Sequence, residues 1–298
     1  MTTPPGMSAA AGADLPELSW ALRSHPGAVR TDNEDFVGAY APRVIEDHGP
    51  LFVLCDGMGG HAAGEVASRM AVETALTTWT TSSPAPTQQA VRSAVRSANS
   101  AVFSASLDIE TRGMGTTCTA LSLSGAQAYI GHVGDSRCYQ VHRGQCSQLT
   151  ADHSRVGEML RMRLITPEQA ANHPARSQLT RSLGSAPGVQ VDVVRAPIHK
   201  GDSFVLCCDG VWDLISRQEI AHACGMDSVA QASEHLIGLA LQRGAHDNVT
   251  VLIVRVNGDL TELPKDKGRG GGVGLLQRLG LARPRVSPVE EETDGEPT

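Results

Sequence analysis

The chain has 298 residues, 41% of them hydrophobic, so it is long enough to bury a substantial core in one or two domains. Its 25 basic and 32 acidic residues give a formal net charge of −7, which argues against a nucleic-acid-binding protein. The sequence contains no apolar run long enough for a membrane span, and it does not begin with the basic and apolar regions of a signal peptide.

The cysteines do not form a recognisable metal or redox motif, because no two of the seven occur in a C-x-x-C pair. Several of them, including Cys55, Cys118 and Cys207, lie in strand-like runs. This usage favours reduced cysteines in the core of a cytoplasmic protein.

The first half of the chain predicts strands followed by a pair of helices. Residues 1–17 are rich in Ala, Gly and Pro and are expected to be disordered. A strand-like segment at 20–37 and an apolar strand at 51–55 follow. Apolar residues at helical spacing then predict two amphipathic helices, one through 72–79 and one through 91–105.

The second half predicts antiparallel hairpins and further helices. Turn signals at 124–125 and 143–144 divide a β-rich block. Capping boxes that begin at Thr166 and Ser216 predict the starts of two helices. The last strand is expected at 249–256. Consecutive hairpins and paired helices argue against βαβ alternation and favour an α+β fold, with antiparallel sheets covered by helix pairs.

The composition changes after the last predicted strand. Residues 257–298 contain a glycine-rich basic stretch and end in an acidic run, a composition typical of a disordered linker and tail. A docking or regulatory role for this tail is the alternative interpretation. The folded domain is therefore expected to span residues 18–256.

Two strands of similar sequence end on Asp-Gly. The first runs from Leu51 to Asp56 and the second from Phe204 to Asp209, and a glycine follows each aspartate. If these strands are neighbours, they bring two carboxylates together, and a cation between them would offset the repulsion. Carboxylate oxygens suit hard divalent cations such as Mg²⁺ and Mn²⁺.

Four more aspartates lie at predicted junctions between strands and loops. Any one of them alone is explained by an Asx turn or a helix cap. Asp213 lies four residues after Asp209, so a single helical turn would bring the two to the same face. The whole set favours a metal site over separate turns. The four are Asp35, Asp135, Asp213 and Asp247.

Six short segments occur in the same order as in the metal-dependent protein phosphatases of type 2C. The chain resembles the bacterial branch of this family over about residues 20–256, and six motifs in order are highly specific. The segments are Arg30-x-x-x-Glu34-Asp35, Asp56-Gly-Met-Gly-Gly-His61, Gly113-Met-Gly-Thr-Thr117, Gly134-Asp-Ser-Arg137, Asp209-Gly-Val-Trp-Asp213 and Asp247-Asn248.

The resemblance implies an αββα sandwich, in which two antiparallel sheets pack together and antiparallel helix pairs flank them. It also implies a centre of two Mn²⁺ or Mg²⁺ ions, with a weaker third ion. Asp56 would bridge the first two ions. The other implied ligands are the Gly57 carbonyl, Asp35, Asp209 and Asp247 for the first two ions, and Asp135, Asp213 and Asp209 for the third.

The implied activity is hydrolysis of phosphoserine and phosphothreonine in proteins, in opposition to a bacterial Ser/Thr protein kinase. Two cations about 3.5–4 Å apart can lower the pKa of a shared water from ~15.7 towards ~7, so that a metal-bound hydroxide attacks phosphorus directly. We expect a cytoplasmic monomer whose partners are phosphorylated proteins and a cognate kinase, without nucleic acid or a membrane span.

Three alternative functions are weaker. Phosphatases that act on a phosphorylated anti-anti-sigma factor generally lack the Arg30-Glu34-Asp35 element that is present here. An inactive phosphopeptide-binding relative would have lost a metal ligand, whereas the aspartates of both Asp-Gly strands and Asp247 are retained. A calcium-binding module is disfavoured because the sequence has no EF-hand loop spacing.

Arg30 and His61 are candidate catalytic residues beside the bridging Asp56. The planar guanidinium of Arg30 suits two phosphate oxygens, and the alternative is a surface salt bridge with Asp32 or Glu34. Many eukaryotic relatives have a histidine two residues after the bridging aspartate, where this chain has methionine. His61 is the nearest candidate acid for the leaving group, and a capping or supporting histidine is the alternative.

A flap region is expected at residues 150–182, which match the family in position, beside the site where a loop would help to select substrates. Arg137 is expected to pair with the acidic cluster, and segment 113–117 to form a glycine turn that leads into a strand behind the site. Basic residues of the flap could attract phosphorylated segments or form an ordinary solvated surface. They are Arg155, Arg161, Arg163, Arg176 and Arg181.

Overall fold

Two antiparallel β-sheets face each other, and helices cover their outer faces. This arrangement is seen in a computed structural model that describes residues 8–12, 17–41, 49–59, 62–83 and 85–260. The strands are β1 (Ser8–Gly12), β2 (Leu18–His25), β3 (Asp35–Tyr40), β4 (Leu51–Met58), β5 (Gly115–Thr116), β6 (Cys118–Ser124), β7 (Gln127–Val133), β8 (Arg137–His142), β9 (Gln145–Gln148), β10 (Asp192–Pro197), β11 (Ser203–Cys207) and β12 (Val249–Val256). The helices are α1 (Ala62–Thr81), α2 (Thr87–Ala105), α3 (Arg155–Arg161), α4 (Pro167–Ala171), α5 (Asp209–Trp212), α6 (Arg217–Cys224) and α7 (Val229–Gln242).

The strand order separates the chain into two sheets. The first sheet has the order β1-β2-β12-β11-β8-β9, and the second has the order β10-β7-β6-β4-β3, with β5 paired to the end of β4. All of these pairs are antiparallel. The β6–β7 and β8–β9 hairpins close where the turn signals predicted them.

The inner faces of the two sheets form one apolar core. Trp20 of β2 and Phe52 of β4 meet across it, with ring centroids 6.1 Å apart. Leu22 and Leu121 are fully buried in the same core. Since alternate side chains of a strand point to the same face, each strand contributes a row of apolar residues, and their burial is the main force that holds the sheets together.

The helices lie on the outer faces of the sheets. Helices α1 and α2 cover the second sheet, burying Val72 and Trp79, and the Trp79 indole donates a hydrogen bond to the Gly49 carbonyl at 2.9 Å. Gly131 of β7 permits a close approach, because a Cβ there would lie 2.6 Å from a methyl of Val91. Helices α6 and α7 cover the first sheet, which completes the predicted αββα sandwich.

The predicted helix boundaries are confirmed where they rest on capping chemistry. Thr166 and Ser216 both accept a hydrogen bond from the backbone three residues on, and the side chain at that position bonds back to the cap backbone. Gly225 is the residue at which α6 ends. All seven cysteines are unpaired, in agreement with the prediction of reduced thiols.

The structure differs from the sequence prediction at the N-terminus. Within residues 1–17, which were expected to be disordered, β1 pairs with β2, with Ser8 opposite Ser24 and Gly12 opposite Trp20. Without β1, β2 would be an edge strand with a row of unpaired backbone groups, and β1 satisfies them. Its Ala- and Gly-rich sequence has little β propensity, so the pattern gave no signal.

Two other predictions have different outcomes. Residues 261–298, which form most of the predicted tail, lie outside the described residues, so that interpretation stays a prediction. None of the helices in the described ranges is both long and apolar enough to cross a membrane.

Leu121→Ala should lower the free energy of unfolding by about 2–5 kcal/mol, because it leaves a cavity between the sheets. Leu107→Ala makes the same chemical change at a side chain that is 65% exposed, whereas Leu121 is 0% exposed. The control should change the unfolding free energy by less than about 0.5 kcal/mol. Urea denaturation measures both variants, and equal effects would contradict the assignment of the core.

Candidate metal centre

The two Asp-Gly strands lie in opposite sheets and are not neighbours. Strand β4 belongs to the second sheet and β11 to the first, which corrects the simplest expectation from the sequence. Their ends nevertheless meet at one edge of the sandwich, because the two sheets face each other. The charge of Asp209, which follows β11, is among those that raise the pKa of Asp56.

Asp35 and Asp56 are direct partners across the β3–β4 ladder. Opposite residues of antiparallel strands have Cβ atoms about 4.5–5.5 Å apart, so the pairing itself brings two carboxylates together. A thiol joins them, because single ligand atoms of Asp35, Asp56 and Cys208 all lie within 4.8 Å of one another. The sequence analysis gives no signal for this proximity, because cysteines in strand-like runs are interpreted there only as reduced core residues.

Asp209 and Asp213 lie at the two ends of the short helix α5. The Asp213 backbone donates to the Asp209 carbonyl at 2.9 Å, which confirms that one helical turn separates them. The helix packs closely on the residues before β12, and a Cβ on Gly210 would lie 2.0 Å from the Asn248 carbonyl oxygen. Glycine after Asp209 is therefore required by the close approach of two backbones.

Asp247 precedes β12, and its neighbour Asn248 fixes the loop that carries Arg30. The Asn248 amide donates to the carbonyls of Pro26 and Asp32 at 2.9 and 2.8 Å, and its oxygen accepts from the Glu34 backbone at 2.8 Å. Sequence reasoning noted the Asp247-Asn248 pair but missed this positioning role. No local pattern indicates it, because the partners are more than 200 residues away.

Asp135 follows β7 and is tied to the same edge. Its carbonyl accepts a hydrogen bond from the Trp212 indole at 3.1 Å. The next residue, Ser136, shares a 2.7 Å hydrogen bond with the Thr117 hydroxyl, which also accepts from the Asp56 backbone at 2.9 Å. Thr117 thus connects the two segments that carry these aspartates, and β5 lies behind the site as the 113–117 prediction required.

Gly57 lies in a space that no larger residue fits. A Cβ there would be 2.1 Å from the Gly64 carbonyl oxygen and 2.6 Å from that of Glu34. The Gly57 backbone also donates to the Glu34 carbonyl at 3.1 Å. The glycine therefore lets the start of α1 and the Arg30 loop pack against β4, and the role of its own carbonyl as a ligand stays a prediction.

Electrostatic repulsion within this cluster is severe. Burial raises the pKa of Asp56 well above its ordinary value, and the charges of four other aspartates raise it further. In order of effect these are Asp35, Asp209, Asp135 and Asp247.

Burial is also the main cause of the other shifts. It raises the pKa of Asp35 to about 7 and that of Asp135 to about 7, with smaller increases from the charge of Asp209. It raises the pKa of Asp209 to about 6, and repulsion from Asp247 and Asp213 adds to the effect. Carboxylates arranged in this way are stable together only if they bind protons or a cation.

The donor set fits a hard divalent cation. Both carboxylate oxygens of Asp35 are buried without a hydrogen-bond partner of normal geometry, although the Thr250 hydroxyl and the Cys208 thiol lie close enough to lower the Asp35 pKa in part. The thiol donates to the Asn248 carbonyl at 3.3 Å, and burial holds its pKa well above the ordinary value. Because a protonated thiol is a poor metal ligand, a cation at this site would be bound by the carboxylate oxygens and not by the Cys208 sulfur.

Arg30 contacts Asp247 and neither of the partners considered from the sequence. Its Nη2 atom lies 3.2 Å from an oxygen of Asp247, while its side chain is 54% exposed. The guanidinium therefore borders the carboxylate cluster and is open to the cleft. His61, the candidate acid, lies outside the described residues.

A cleft of about 900 Å³ opens beside the cluster. One wall carries Arg30 and the aspartates of the first sheet, and the other is formed by α3 and α4 of the flap region. His246 also lines the cleft, and its charge lowers the pKa of Asp209 in part, against the larger effects of burial and of neighbouring aspartates. Sequence reasoning missed this histidine, although its position next to Asp247 was a usable signal.

Two basic residues of the flap are already paired. Arg176 forms an ion pair with Asp213 at 3.2 Å, which connects the flap to the cluster. Arg181 forms one with Asp192 at 2.8 Å. Arg176 and Arg181 are thus held in ion pairs within the protein, whereas the two interpretations of the flap arginines were attraction of phosphorylated segments and an ordinary solvated surface.

Arg137 has a different partner from the one expected. It binds Asp152 through two nitrogens, the closest contact being 2.7 Å, and lies 3.6 Å from the centroid of a Trp212 ring. Asp152 belongs to the wall of the cleft and not to the aspartate cluster. Arg137 therefore pairs directly with Asp152 and not with an aspartate of the cluster, on which it acts only through its charge, lowering the pKa of Asp135 in part.

Sequence comparisons identify a family and several relatives. The family model for protein phosphatase 2C matches residues 27–249. The serine/threonine protein phosphatase PstP of Mycobacterium tuberculosis is 39% identical over 240 residues, which cover 80% of this chain and 45% of PstP. Protein phosphatase PhpP of Streptococcus pneumoniae is 34% identical over 240 residues, which cover 79% of this chain and 96% of PhpP. The chain thus spans less than half of the length of PstP.

Solved structures show the same fold. The crystal structure of M. tuberculosis PstP/Ppp has a TM-score of 0.72 and 37% identity, covering 81% of this chain and 99% of that chain. The catalytic domain of PstP in complex with two manganese ions has a TM-score of 0.70 and 37% identity, with the same coverage of 81% and 99%. The S. agalactiae serine/threonine phosphatase has a TM-score of 0.74 and 32% identity, covering 80% of this chain and 100% of that chain.

Asp35→Asn should stabilise the metal-free protein at pH 7.5, because it removes a buried charge from the cluster. The folded pKa of Asp35, about 7, lies above the ordinary value of 3.8, so ionisation costs stability as the pH rises between these values. We expect an increase on the order of 2–4 kcal/mol at pH 7.5 that shrinks towards pH 4.

Urea unfolding of chelator-treated protein at several pH values measures this difference. Added Mn²⁺ should reverse the order, since it stabilises the wild type more than the variant. A wild type that is the more stable of the two at pH 7.5 without metal would contradict the electrostatic account.

Proposed function

Because this chain belongs to the protein phosphatase 2C family, we propose that it is a metal-dependent phosphatase that hydrolyses phosphoserine and phosphothreonine in proteins. The observation that carries the proposal is the cluster of buried aspartates at the edge of an open cleft, in which neither oxygen of Asp35 has a hydrogen-bond partner of normal geometry. Such a cluster suits cation binding, and the cleft gives a phosphorylated side chain access to it.

We propose that two Mn²⁺ or Mg²⁺ ions bind to Asp56, the Gly57 carbonyl, Asp35, Asp209 and Asp247. When bound, they would supply an activated water as the nucleophile and neutralise the phosphate charge. The protein holds the carboxylates in place before binding, through the β3–β4 ladder, the Asn248 amide and the Thr117 hydroxyl. Repulsion among the carboxylates in the metal-free state then favours occupation of the site.

The chain's own residues place the substrate. Arg30, at the mouth of the cleft, can donate two hydrogen bonds to phosphate oxygens, because its exposed guanidinium keeps further N–H groups beyond its contact with Asp247. Arg137 and Trp212, which stack on each other, also line the cleft. The proton for the leaving alkoxide is assigned to His61, with His246 as the alternative because it borders the cleft.

A third cation would bind to Asp135, Asp209 and Asp213. Asp213 is paired with Arg176 of the flap, so this cation and Arg176 would compete for one carboxylate. Binding of the third cation is therefore expected to release the flap at this contact and to widen the cleft. The Arg176–Asp213 ion pair would thus connect binding of the third cation to the access of substrate to the cleft.

The proposed partners follow from the reaction. Phosphoserine and phosphothreonine are formed by protein kinases, so the enzyme would reverse the action of a cognate Ser/Thr kinase on shared protein substrates. The expected cytoplasmic location and monomeric state rest on the sequence reasoning alone. Direct attack on phosphorus, without a phosphorylated enzyme intermediate, is part of the same proposal.

Asp209→Asn should reduce Mn²⁺-dependent hydrolysis of p-nitrophenyl phosphate by at least 10³-fold, because it removes a carboxylate from the centre. Asp227→Asn makes the same change at an exposed aspartate on the helical side and should retain full activity. Circular dichroism checks that both variants fold. Equal turnover in the two variants would refute the proposed centre.

Arg30→Ala should raise KM for a phosphothreonine peptide by about 10-fold or more, through loss of a charge-assisted hydrogen bond to phosphate. The Mn²⁺ concentration that gives half-maximal activity should stay within about twofold of the wild-type value. Arg96→Ala, at an exposed position of α2, is the matched control.

The same measurements distinguish the alternative role of Arg30. If Arg30 only orients Asp247, the Mn²⁺ requirement will rise while KM for the peptide stays unchanged. That result would remove Arg30 from the phosphate site without affecting the assignment of the metal centre.

A further inference from the structure

A second group of potential metal ligands lies at the other end of the first sheet. His142 is the last residue of β8, and His199 and Asp202 belong to the turn between β10 and β11. Single ligand atoms of these three residues lie within 4.8 Å of one another. The proposed phosphatase reaction does not use any of them.

The group is separate from the aspartate cluster. Asp202 precedes β11 and Asp209 follows it, and the five residues of that strand span about 17 Å. None of the three residues lines the cleft beside the aspartate cluster. An ion bound here would not share ligands with the proposed catalytic centre.

Asp202 is a buried and preorganised carboxylate. Its side chain is 2% exposed, and it accepts hydrogen bonds from the Gln140 amide at 2.8 Å and the His199 backbone at 3.0 Å. The orientation of the carboxylate is therefore fixed by the Gln140 amide and by a backbone N–H, neither of which would bind the ion.

The imidazole positions suit a tetrahedral ion. Two ligand atoms that are each about 2.0–2.1 Å from such an ion lie about 3.3–3.4 Å apart. The Nδ1 atom of His199 is 3.4 Å from the Oδ2 atom of Asp202, which already matches this separation. The Nδ1 atom of His142 is 2.6 Å from the other oxygen of Asp202, Oδ1, so an ion held by Oδ2 would take the place of this contact.

Both histidines approach the same carboxylate, and their rings lie with centroids 4.6 Å apart. Two neutral imidazoles and one carboxylate form a set that zinc-class ions prefer over the Mg²⁺ or Mn²⁺ of an all-oxygen site.

We propose that His142, His199 and Asp202 form a second metal site, specific for Zn²⁺ and related divalent transition-metal ions. The His199 side chain is 55% exposed and that of His142 is 37% exposed, so solvent supplies the remaining ligands and the ion can exchange. A bound ion would connect the β10–β11 turn to the end of β8.

The test is Zn²⁺ binding to the full chain by equilibrium dialysis, with Mn²⁺ in excess to occupy the aspartate cluster. His142→Ala and His199→Ala should each bind one equivalent less than the wild type, or bind that equivalent at least about 10-fold more weakly. His235→Ala removes an exposed histidine from the His222–His235 pair and should bind as the wild type does.

Co²⁺ gives a second readout that identifies the ligands. Wild type and His235→Ala should show the visible absorption of Co²⁺ in a nitrogen- and oxygen-ligated site of low coordination number, and His199→Ala should not. If His142→Ala fails to fold, His199→Ala decides the question alone, since its side chain is largely exposed. Equal Zn²⁺ stoichiometry and equal Co²⁺ spectra in wild type and His199→Ala would overturn the proposal.

Discussion

The structure is organised around mutual repulsion among buried carboxylates at one edge of the sandwich. Both sheets contribute aspartates there, and burial adds to the cost of every negative charge. The apolar core between the sheets must supply enough free energy to hold this arrangement. This arrangement is well suited to bind cations, because the repulsion among the carboxylates falls when protons or metal ions bind to them.

The sequence predicts most of the fold because the local signals agree with one another. Capping boxes, turn dipeptides and apolar periodicity each define an element, and the order of elements excludes alternating βαβ units. The signal fails for β1, where Ala and Gly give no pattern and the pairing depends on the exposed edge of β2. Tertiary context, and not propensity, determines that strand.

The sequence predicts which residues form the candidate site better than it predicts how the fold places them. The repeated Asp-Gly endings indicate Asp56 and Asp209, yet they do not reveal that the two strands belong to opposite sheets. Contacts such as Arg176 with Asp213, or Asn248 with the Arg30 loop, join distant parts of the chain. Such pairings arise from the packed fold, so a single sequence cannot specify them.

The bonds made by Asn248 have a consequence for synthesis. The loop before β3 is held by a side chain that leaves the ribosome more than 200 residues later, and β12 inserts between β2 and β11 to complete the first sheet. A contact between residues so far apart in the sequence can form only after both have been synthesised, and closing so long a loop costs entropy. A nascent chain would therefore contain Asp35 and Asp56 before Asp209 and Asp247 are synthesised. It would bind metal ions at this site only after β12 has paired with β2 and β11.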